Sequence, residues 1–524
     1  MKRIRASGYH NTVTTFAHSL PYARLRRSAR GLLAAALACT LALPPGIAPV
    51  RAQNLPDLGG SERAELSPLM ERRLGEQIMR DLRRDRDFLD DAPLSEYLNN
   101  FGAALVAASP EVRGEAAFDY YFFGVRDPSL NAFAMPGGLI GVHSGLVLAA
   151  QSESELASVL AHEIGHVSQR HIARMLGNQR QDALLPLAAL LLGALAARSS
   201  PDLASAAIMG GQGLAIQRQL NFSREAEREA DRIGLQIMQE GGFDTSGMVA
   251  FFGRIQSASR SSFADSAPAW LRSHPLTTER VADIQDRIRN QRYRQRADSA
   301  DFHLIRARLR VLQDDTVQGW REARNHFELQ LLQQGRMQTL SAQYGLALVA
   351  LRQGQHQAAM ESLDKARAGA KGAPAPASAI LAALAVDIQL AAGNASQALR
   401  EAEAARTQFP LSRGIAHQYA DALLAAGRDE DAVRYLRDQS QLYRQEAGLQ
   451  DRLAKAYAAQ GRQALQHLAL AEAYALKGSL PAALDQLQIA RRAPDASFYD
   501  QSVIDARIRE FQDRRREEID AMPR

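Results

Sequence analysis

The amino-acid sequence predicts a mainly α-helical protein in which an α+β domain is followed by an α-helical solenoid of short repeats. Three observations support this prediction. The chain has 524 residues, which is too long for a single hydrophobic core. Residues 118–125 are rich in aromatic side chains, typical of a strand, and they interrupt the helical patterns of the first half. In the second half, Gly354, Gly393, Gly427 and Gly461 recur at spacings of 39, 34 and 34 residues, close to the period of helical-hairpin arrays.

The first 52 residues predict a cleavable signal peptide. They carry eight basic and no acidic side chains, and the apolar run 31–43 is too short to span a bilayer as a stable helix. Small residues around Ala52 suit a signal peptidase, so we expect cleavage after this residue. A retained membrane anchor is the alternative interpretation.

The net charge of the chain excludes a nucleic-acid-binding function. The whole chain carries +5 and its first 52 residues carry +8, so the remaining residues sum to −3. A nucleic-acid-binding protein would need its basic face on the folded part.

Cys39 is the only cysteine, and it lies inside the apolar run of the leader. After cleavage the mature chain has no thiol, which excludes disulfides and cysteine catalysis. Lipid attachment at Cys39 is disfavoured, because 36–38 is a poor lipobox and apolar residues continue beyond it.

Helix signals open the first domain. Ser67 supplies an N-cap for a helix predicted from Pro68 to about Arg84, and a second helical pattern covers 94–107. After the aromatic strand, residues 136–138 (Pro-Gly-Gly) predict a turn between two short extended pieces.

A metal-binding motif lies on the next predicted helix, which begins with a capping box at Ser152 and is expected to run through His171. His162 and His166 are four residues apart, so their rings project from one face of the helix. Two imidazoles so placed can bind one zinc ion, and Glu163 lies where a general base would reach the attacking water.

A zinc site needs a third protein ligand. Glu227 and Asp231 are the best candidates, because they lie four residues apart on a helix predicted from Arg224 to about Gln239. Glu227 would be the ligand and Asp231 would accept the outer N–H of a ligating histidine. Glu225 and Glu229 compete on composition alone.

The periodic glycines predict turns between paired helices. Alanine follows five residues after three of them, at Ala359, Ala398 and Ala432, where a small side chain allows two helices to pack closely. This is the logic of tetratricopeptide repeats. Gly478 starts another copy, although its offset of 17 residues from Gly461 breaks the register. A non-repeating helical bundle is the alternative.

These patterns divide the chain into four parts: a signal peptide (1–52), an α+β domain (53–300), a repeat domain (301–510) and a charged tail (511–524). The apolar segment 183–197 is too short and too broken to cross a membrane. It fits a buried helix, a lid over the cleft, or a surface that touches lipid or a membrane-protein partner.

Three motifs together carry a family resemblance: the HEIGH helix 162–166, the segment 222–231, and residues 131–138. With them, the chain resembles the HtpX/Oma/CAAX-prenyl-protease group of zinc metallopeptidases over nearly everything after residue 53. It is most similar to the periplasmic branch that carries a tetratricopeptide domain. The first domain is then expected to be a zincin-like metallopeptidase domain binding one Zn²⁺ per subunit.

The resemblance implies roles for further residues. It makes Glu227 the third zinc ligand and gives Asp231 a supporting catalytic role. His274, in Ser273–Pro275, is expected near the metal, where it would occupy the fourth position and hold the enzyme latent. The segment 132–140 is expected to be an edge strand that pairs with an extended substrate. Its substrate-binding residues would be Asn131, Ala132, Phe133, Ala134, Met135, Pro136 and Gly137.

The resemblance also implies a location and partners: the periplasm, unfolded or stalled outer-membrane proteins, and the β-barrel assembly machinery bound through the repeats. The predicted function is a zinc endopeptidase for quality control of outer-membrane proteins. The alternative is a periplasmic chaperone or assembly scaffold in which proteolysis is secondary or latent. An intact Glu163 argues against a dead enzyme, because a pure scaffold has no need of it.

Overall fold

The computed structural model describes residues 66–110, 118–177, 224–261, 269–289, 296–370 and 378–520. Within these ranges the protein is mainly α-helical with one small sheet, as predicted. The leader with Cys39 and the apolar segment 183–197 lie outside them, as do residues 222 and 223 of the second motif.

Two helices and a three-stranded sheet begin the described chain. Helix α1 (Pro68–Leu82) is capped by the side chain of Ser67, as predicted, and α2 (Ala92–Ala108) is capped by Asp91. The sheet contains β1 (Tyr121–Val125), β2 (Ala132–Met135) and β3 (Leu139–His143) in the order β1-β3-β2. β3 pairs in parallel with β1 and antiparallel with β2.

The sheet corrects the prediction of one edge strand over 132–140. Within this segment only β2 is an edge strand, while Leu139 and Ile140 belong to the central strand. The chain reverses at 136–138, where Gly137 and Gly138 take φ values of 79° and 89° that favour glycine. The aromatic strand is also shorter than predicted, since it starts at Tyr121.

The helix with the two histidines is the centre of the part of the chain that ends at Ile288, which we call the first domain. After the short α3 (Ser144–Ala149), helix α4 (Glu153–Ser168) is buried along its whole length. The predicted continuation of α4 to His171 is wrong. Arg170 has φ of 51°, so the chain breaks there and a separate helix, α5 (His171–Gly177), begins.

Four more helices complete the first domain and are followed by a long helical region. The four are α6 (Arg224–Glu240), α7 (Ser246–Ser261), α8 (Ala269–Ser273) and α9 (Thr278–Ile288). The helical region contains α10 (Ala300–Leu312), α11 (Val317–Leu331), α12 (Arg336–Arg352), α13 (His356–Ala370), α14 (Ala379–Ala391), α15 (Ala395–Gln408), α16 (Arg413–Ala425), α17 (Asp429–Leu442), α18 (Ala447–Ala459), α19 (Gln463–Leu476), α20 (Leu480–Arg492) and α21 (Phe498–Asp520).

Glycine turns join successive helices of this region. The glycines at 354, 393, 427, 461 and 478 have φ values of 69° to 77°, and each follows the end of a helix. The amide after each glycine bonds back across the last helical turn, as from Asn394 to the carbonyl of Gln389 at 2.9 Å, which is the pattern of a Schellman cap. Gly461 and Gly478 flank the single helix α19, which explains their offset of 17 residues.

The predicted small positions lie between helices. Ala359, Ala398 and Ala432 are fully buried, and so are Leu363 and Leu436 four residues after two of them. The helical region therefore packs through the alanine faces that the glycine spacing indicated.

Residues far apart in the helical region contact the first two helices and the loop between them. Arg308 pairs with Asp91, and the Ser412 hydroxyl bonds to the Glu96 carboxylate at 2.9 and 3.0 Å. Arg84 donates to the carbonyl of Lys477 at 3.2 Å. One hydrophobic core runs from α2 through the histidine helix to α14, so the first domain and the start of the helical region share their interior.

The described part of the chain contains no helix that is both long enough and apolar enough to cross a membrane.

Candidate metal centre and active site

The histidine helix α4 and the acidic helix α6 approach closely enough to bring their side chains together. A Cβ atom on Gly165 would lie 3.0 Å from Cα of Ala230, and one on Gly234 would lie 3.1 Å from the amide nitrogen of His162. Since such contacts are tighter than nearly all real Cβ contacts, glycine at both positions is what permits this spacing.

Four buried side chains converge between these helices: His162, His166, Glu227 and His274, each at most 1% exposed. One ligand atom from each lies within 4.8 Å of all the others. Nε2 of His162 is 3.1 Å from Nε2 of His166 and 3.4 Å from Nδ1 of His274. Glu227 Oε1 is 2.9 Å from His274 Nδ1 and 3.5 Å from His166 Nε2.

These separations suit a metal ion. Ligands held tetrahedrally at the usual zinc distances of about 2.0–2.1 Å are roughly 3.4 Å apart. The donors are imidazole nitrogens and a carboxylate oxygen, the set typical of a divalent metal site. The residues present therefore fit a divalent metal, and of the carboxylates that competed for the third ligand only Glu227 belongs to the cluster.

Arg280 and Asp231 support the cluster from outside. Asp231 Oδ1 is 3.0 Å from Nδ1 of His162, the nitrogen that faces away from the other donors. The guanidinium of Arg280 donates to both oxygens of Asp231 at 2.7 and 2.8 Å and lies 2.7 Å from Oε2 of Glu227. Against the effect of burial, bonds from Arg280 and His162 lower the pKa of Asp231 to about 2.

The pKa values of the donors follow from their surroundings. Burial, with repulsion from the neighbouring imidazoles, lowers the pKa of His166 well below its usual value. Burial acts to raise the pKa of Glu227, but attraction to His274 lowers it. Burial acts to lower the pKa of His274, but the carboxylates of Glu227 and Glu163 raise it. These shifts favour an ionised Glu227 and a neutral His166, the forms that bind a metal.

Glu163 is held beside the cluster by three neighbours. It accepts a hydrogen bond from the backbone amide of Ala134 at 3.0 Å and one from Nε1 of Trp270 at 3.3 Å. Nε2 of His274 lies 3.5 Å from Oε1 of Glu163. Since Glu163 is fully buried, these donors fix the orientation of its carboxylate.

The bond to Ala134 connects Glu163 to the edge strand β2. The strand pairs with β3 through Asn131, Phe133 and Met135, so the backbone groups of Ala132 and Ala134 lie on its other edge, where the Ala134 amide reaches Glu163. Among the other residues predicted to bind substrate, Phe133 packs edge-on against Phe123 and His143, and Met135 and Pro136 are buried. The Asn131 carbonyl accepts from the amide of His143, and Gly137 forms the turn.

Two residues of this site were missed from the sequence. Trp270 stacks on His274 with ring centroids 5.0 Å apart and donates to Glu163; its rarity, as one of two tryptophans, was the only available signal. Arg280 lies on α9, a helix rich in charged residues, and nothing in its local pattern separates it from exposed arginines there.

Comparisons with known proteins agree with this geometry. Residues 97–288, which contain the whole cluster, match the profile of Peptidase family M48. The beta-barrel assembly-enhancing protease of Escherichia coli (strain K12) is 33% identical over 473 residues, or 88% of this chain and 93% of that protein. The protein of that name from Yersinia pestis is 31% identical over 456 residues, covering 87% and 90%.

A more distant relative matches a shorter part. The mitochondrial metalloendopeptidase OMA1 of Schizosaccharomyces pombe is 28% identical over 194 residues, which are 37% of this chain and 53% of that protein. The resemblance stated from the motifs is thereby confirmed. The chain belongs to peptidase family M48 and is a metalloprotease.

Proposed function

We propose that this protein is a zinc-dependent endopeptidase of the bacterial periplasm that degrades misfolded or stalled outer-membrane proteins during β-barrel assembly. The observation that carries the proposal is the buried cluster of His162, His166, Glu227 and His274 with Glu163 beside it. The names of its relatives from Escherichia coli and Yersinia pestis supply the connection to β-barrel assembly.

His162, His166 and Glu227 would hold the metal, one zinc ion per chain. Bound there, zinc supplies a Lewis acid that polarises the scissile carbonyl. The carboxylate of Glu163 takes a proton from the attacking water and later gives it to the leaving amine. Asp231 fixes the ring of His162 through its outer nitrogen, and Arg280 fixes Asp231.

The edge of β2 would hold the substrate in an extended conformation. The outward backbone groups of Ala132 and Ala134 could pair with a peptide main chain once the amide of Ala134 exchanges its bond to Glu163 for one to the substrate. Recognition would then depend little on sequence and much on an unfolded segment. The amide of Ala134 already bonds to Glu163 at 3.0 Å. A substrate that pairs along β2 would therefore lie next to Glu163, the proposed general base.

The test compares the mature wild-type chain with Glu163→Gln, measuring bound zinc and cleavage of an unfolded protein. We expect one zinc per chain in both and cleavage about 10²–10⁴-fold slower in the variant, because only the proton acceptor is lost. Glu225→Gln, an exposed carboxylate nearby, serves as the matched control and should behave like wild type. Equal cleavage by wild type and Glu163→Gln would overturn the proposal.

His274 would keep the site closed between encounters with substrate. Its Nδ1 lies among the donors, 3.4 Å from His162 Nε2 and 2.9 Å from Glu227 Oε1, where it competes with water for the fourth position. His274→Ala should therefore cleave an unfolded protein several-fold faster, with His303→Ala as the control. An unchanged or lower rate in His274→Ala would rule out latency through this residue.

The helical region would act as a tetratricopeptide domain that recruits the β-barrel assembly machinery and its clients. The glycine turns and buried alanines at the repeat period support this assignment. A chaperone or scaffold with latent proteolysis is the second candidate, and the fourth donor from His274 favours it. Full zinc occupancy with no cleavage, even in the presence of an outer-membrane client, would support the scaffold.

A further inference from the structure

The break at Arg170 brings a fourth histidine, His171, to the edge of the metal centre. Because the helix ends at Ser168 and restarts at His171, the His171 ring folds back against the helix that precedes it. Nδ1 of His171 lies 2.8 Å from Nδ1 of His166. His171 is 3% exposed, so this contact is made away from bulk water.

The contact continues to a carboxylate. Nε2 of His171 lies 3.1 Å from Oε2 of Glu229, which also accepts from Arg174 at 3.1 Å. Glu229 is the acidic residue that competed with Glu227 for the third ligand position, yet its carboxylate is directed to His171. Glu227 and Glu229, two residues apart on α6, thus contact different histidines.

With both imidazoles neutral, the order of these contacts permits one consistent direction of hydrogen bonding. An ionised Glu229 can only accept, so Nε2 of His171 carries a hydrogen and donates it. Nδ1 of a neutral His171 is then an acceptor, and Nδ1 of His166 must donate to it. The remaining nitrogen of His166, Nε2, then carries a lone pair in place of a hydrogen, and it is the nitrogen that faces His162 and Glu227.

We infer that His171 is a positioning residue for the metal centre: it accepts a hydrogen bond from Nδ1 of His166, holds that ring in the tautomer whose Nε2 can bind the metal, and is itself held by Glu229. The two ligating histidines thereby have different outer partners. Asp231 contacts His162 directly, whereas Glu229 contacts His171, and the imidazole of His171 contacts His166. The inference rests on the proposed zinc site.

Two substitutions at His171 separate positioning from simple packing. His171→Leu keeps a buried side chain of similar size but removes the acceptor. His171→Asn places an amide oxygen near the position of Nδ1, so it can still accept from His166. If His171 only fills space, the polar, smaller Asn should be the worse replacement.

The measurement is zinc affinity by chelator competition, with the visible spectrum of the cobalt-substituted protein as a second readout. We expect His171→Leu to bind zinc about 10–100-fold more weakly and to shift the cobalt bands, as loss of an outer partner typically does. His171→Asn should stay within about threefold of wild type. His303→Leu, a histidine 3.8 Å from the carboxylate of Asp298 and outside the cluster, should change neither readout.

If His171→Leu fails to fold, Glu229→Leu replaces it, because Glu229 is one-third exposed and tolerates an apolar side chain. A several-fold loss of zinc affinity with an unchanged melting temperature of the metal-free protein would then support the inference. Wild-type affinity in a folded His171→Leu or Glu229→Leu, or equal weakening in Leu and Asn variants at 171, would overturn it. Failure of wild type itself to bind zinc would refute the proposed site instead.

Discussion

Two buried arginine–aspartate pairs of this protein look alike and differ in what surrounds them. Arg308 binds both carboxylate oxygens of Asp91 at 2.7 and 2.6 Å, where the helical region meets the first domain. Arg280 binds both oxygens of Asp231 at 2.7 and 2.8 Å beside the histidine cluster. Both are bidentate and largely buried.

The pair at the domain junction is balanced. Asp91 also accepts from the amide of Leu94 as the N-cap of α2, and Arg308 also donates to the hydroxyl of Tyr344 at 2.9 Å. One positive charge faces one negative charge directly. Farther away, Arg352 acts on Asp91 and Asp387 acts on Arg308, so the more distant charged groups also comprise one of each sign. Burial acts to raise the pKa of Asp91, but attraction to Arg308 lowers it, which keeps the pair ionised.

The pair at the metal centre is not balanced. The single guanidinium of Arg280 faces Asp231, Glu227 and, farther away, Glu163. Three carboxyl groups face one guanidinium here, and a divalent cation held by the imidazoles would offset that imbalance. A self-sufficient buried pair indicates a structural role, whereas a buried excess of one charge indicates a place for a ligand.

The largest effect is expected from breaking the balanced pair. Arg308→Leu leaves Asp91 buried without its partner, so the free energy of unfolding should fall by about 3–5 kcal/mol. Zinc affinity should remain that of wild type. Chemical denaturation would measure the loss, with the exposed Arg321→Leu as control. Adding Asp91→Asn, which keeps the N-cap, should recover part of the loss; a double variant as unstable as the single one would contradict the account.

A substitution beside the Arg280–Asp231 pair should weaken zinc binding more than it lowers the free energy of unfolding. Glu227→Gln removes one charge and a metal ligand but keeps the shape, so zinc should bind at least 100-fold more weakly, or about 2.7 kcal/mol. Stability of the metal-free variant should fall by less than in Arg308→Leu, because the excess negative charge is reduced. Chelator competition checks the first expectation and Glu225→Gln is the control. Zinc binding at wild-type strength by Glu227→Gln would remove it from the ligand set.

The smallest effect is expected at the partly exposed ion pair between Arg413 and Glu446, whose carboxylate also contacts His417. Burial acts to raise the pKa of Glu446, but hydrogen bonds from His417 and Arg413 lower it from a usual 4.5 to about 2. A lowered pKa stabilises the fold above pH 4.5, and this contribution is lost as the pH falls toward 2. Solvent screening limits it to about 1 kcal/mol.

The measurement is the difference in unfolding free energy between wild type and Glu446→Gln from pH 7 to pH 2. It should be near its full value at pH 7 and shrink steadily below pH 4.5. Glu430→Gln, an exposed carboxylate on α17, should show no such trend. A difference that stays constant with pH would mean that the ion pair contributes nothing.

The sequence predicted features that depend on neighbours in the chain. His162 and His166 share a helix face at a spacing of four, and the glycines end helices through a conformation that other residues avoid. Contacts between distant segments were not predictable, because Arg280 and Trp270 reach the site from helices whose local patterns give no sign of it. The break at Arg170 was missed because the apolar helical pattern of the sequence continues across this residue. In the structure, the positive φ of Arg170 ends the helix.

The contacts of the first two helices have a consequence for the order of folding. Asp91, Glu96 and Arg84 find partners 217, 316 and 393 residues later in the chain. Because contacts between such distant residues form slowly, the surface of α1 and α2 is completed last. Because a chain is synthesised from its amino terminus, α1 and α2 are made first and remain without these partners until almost all of the helical region has been made. Truncation near the carboxyl terminus would then be felt first at the opposite end of the sequence.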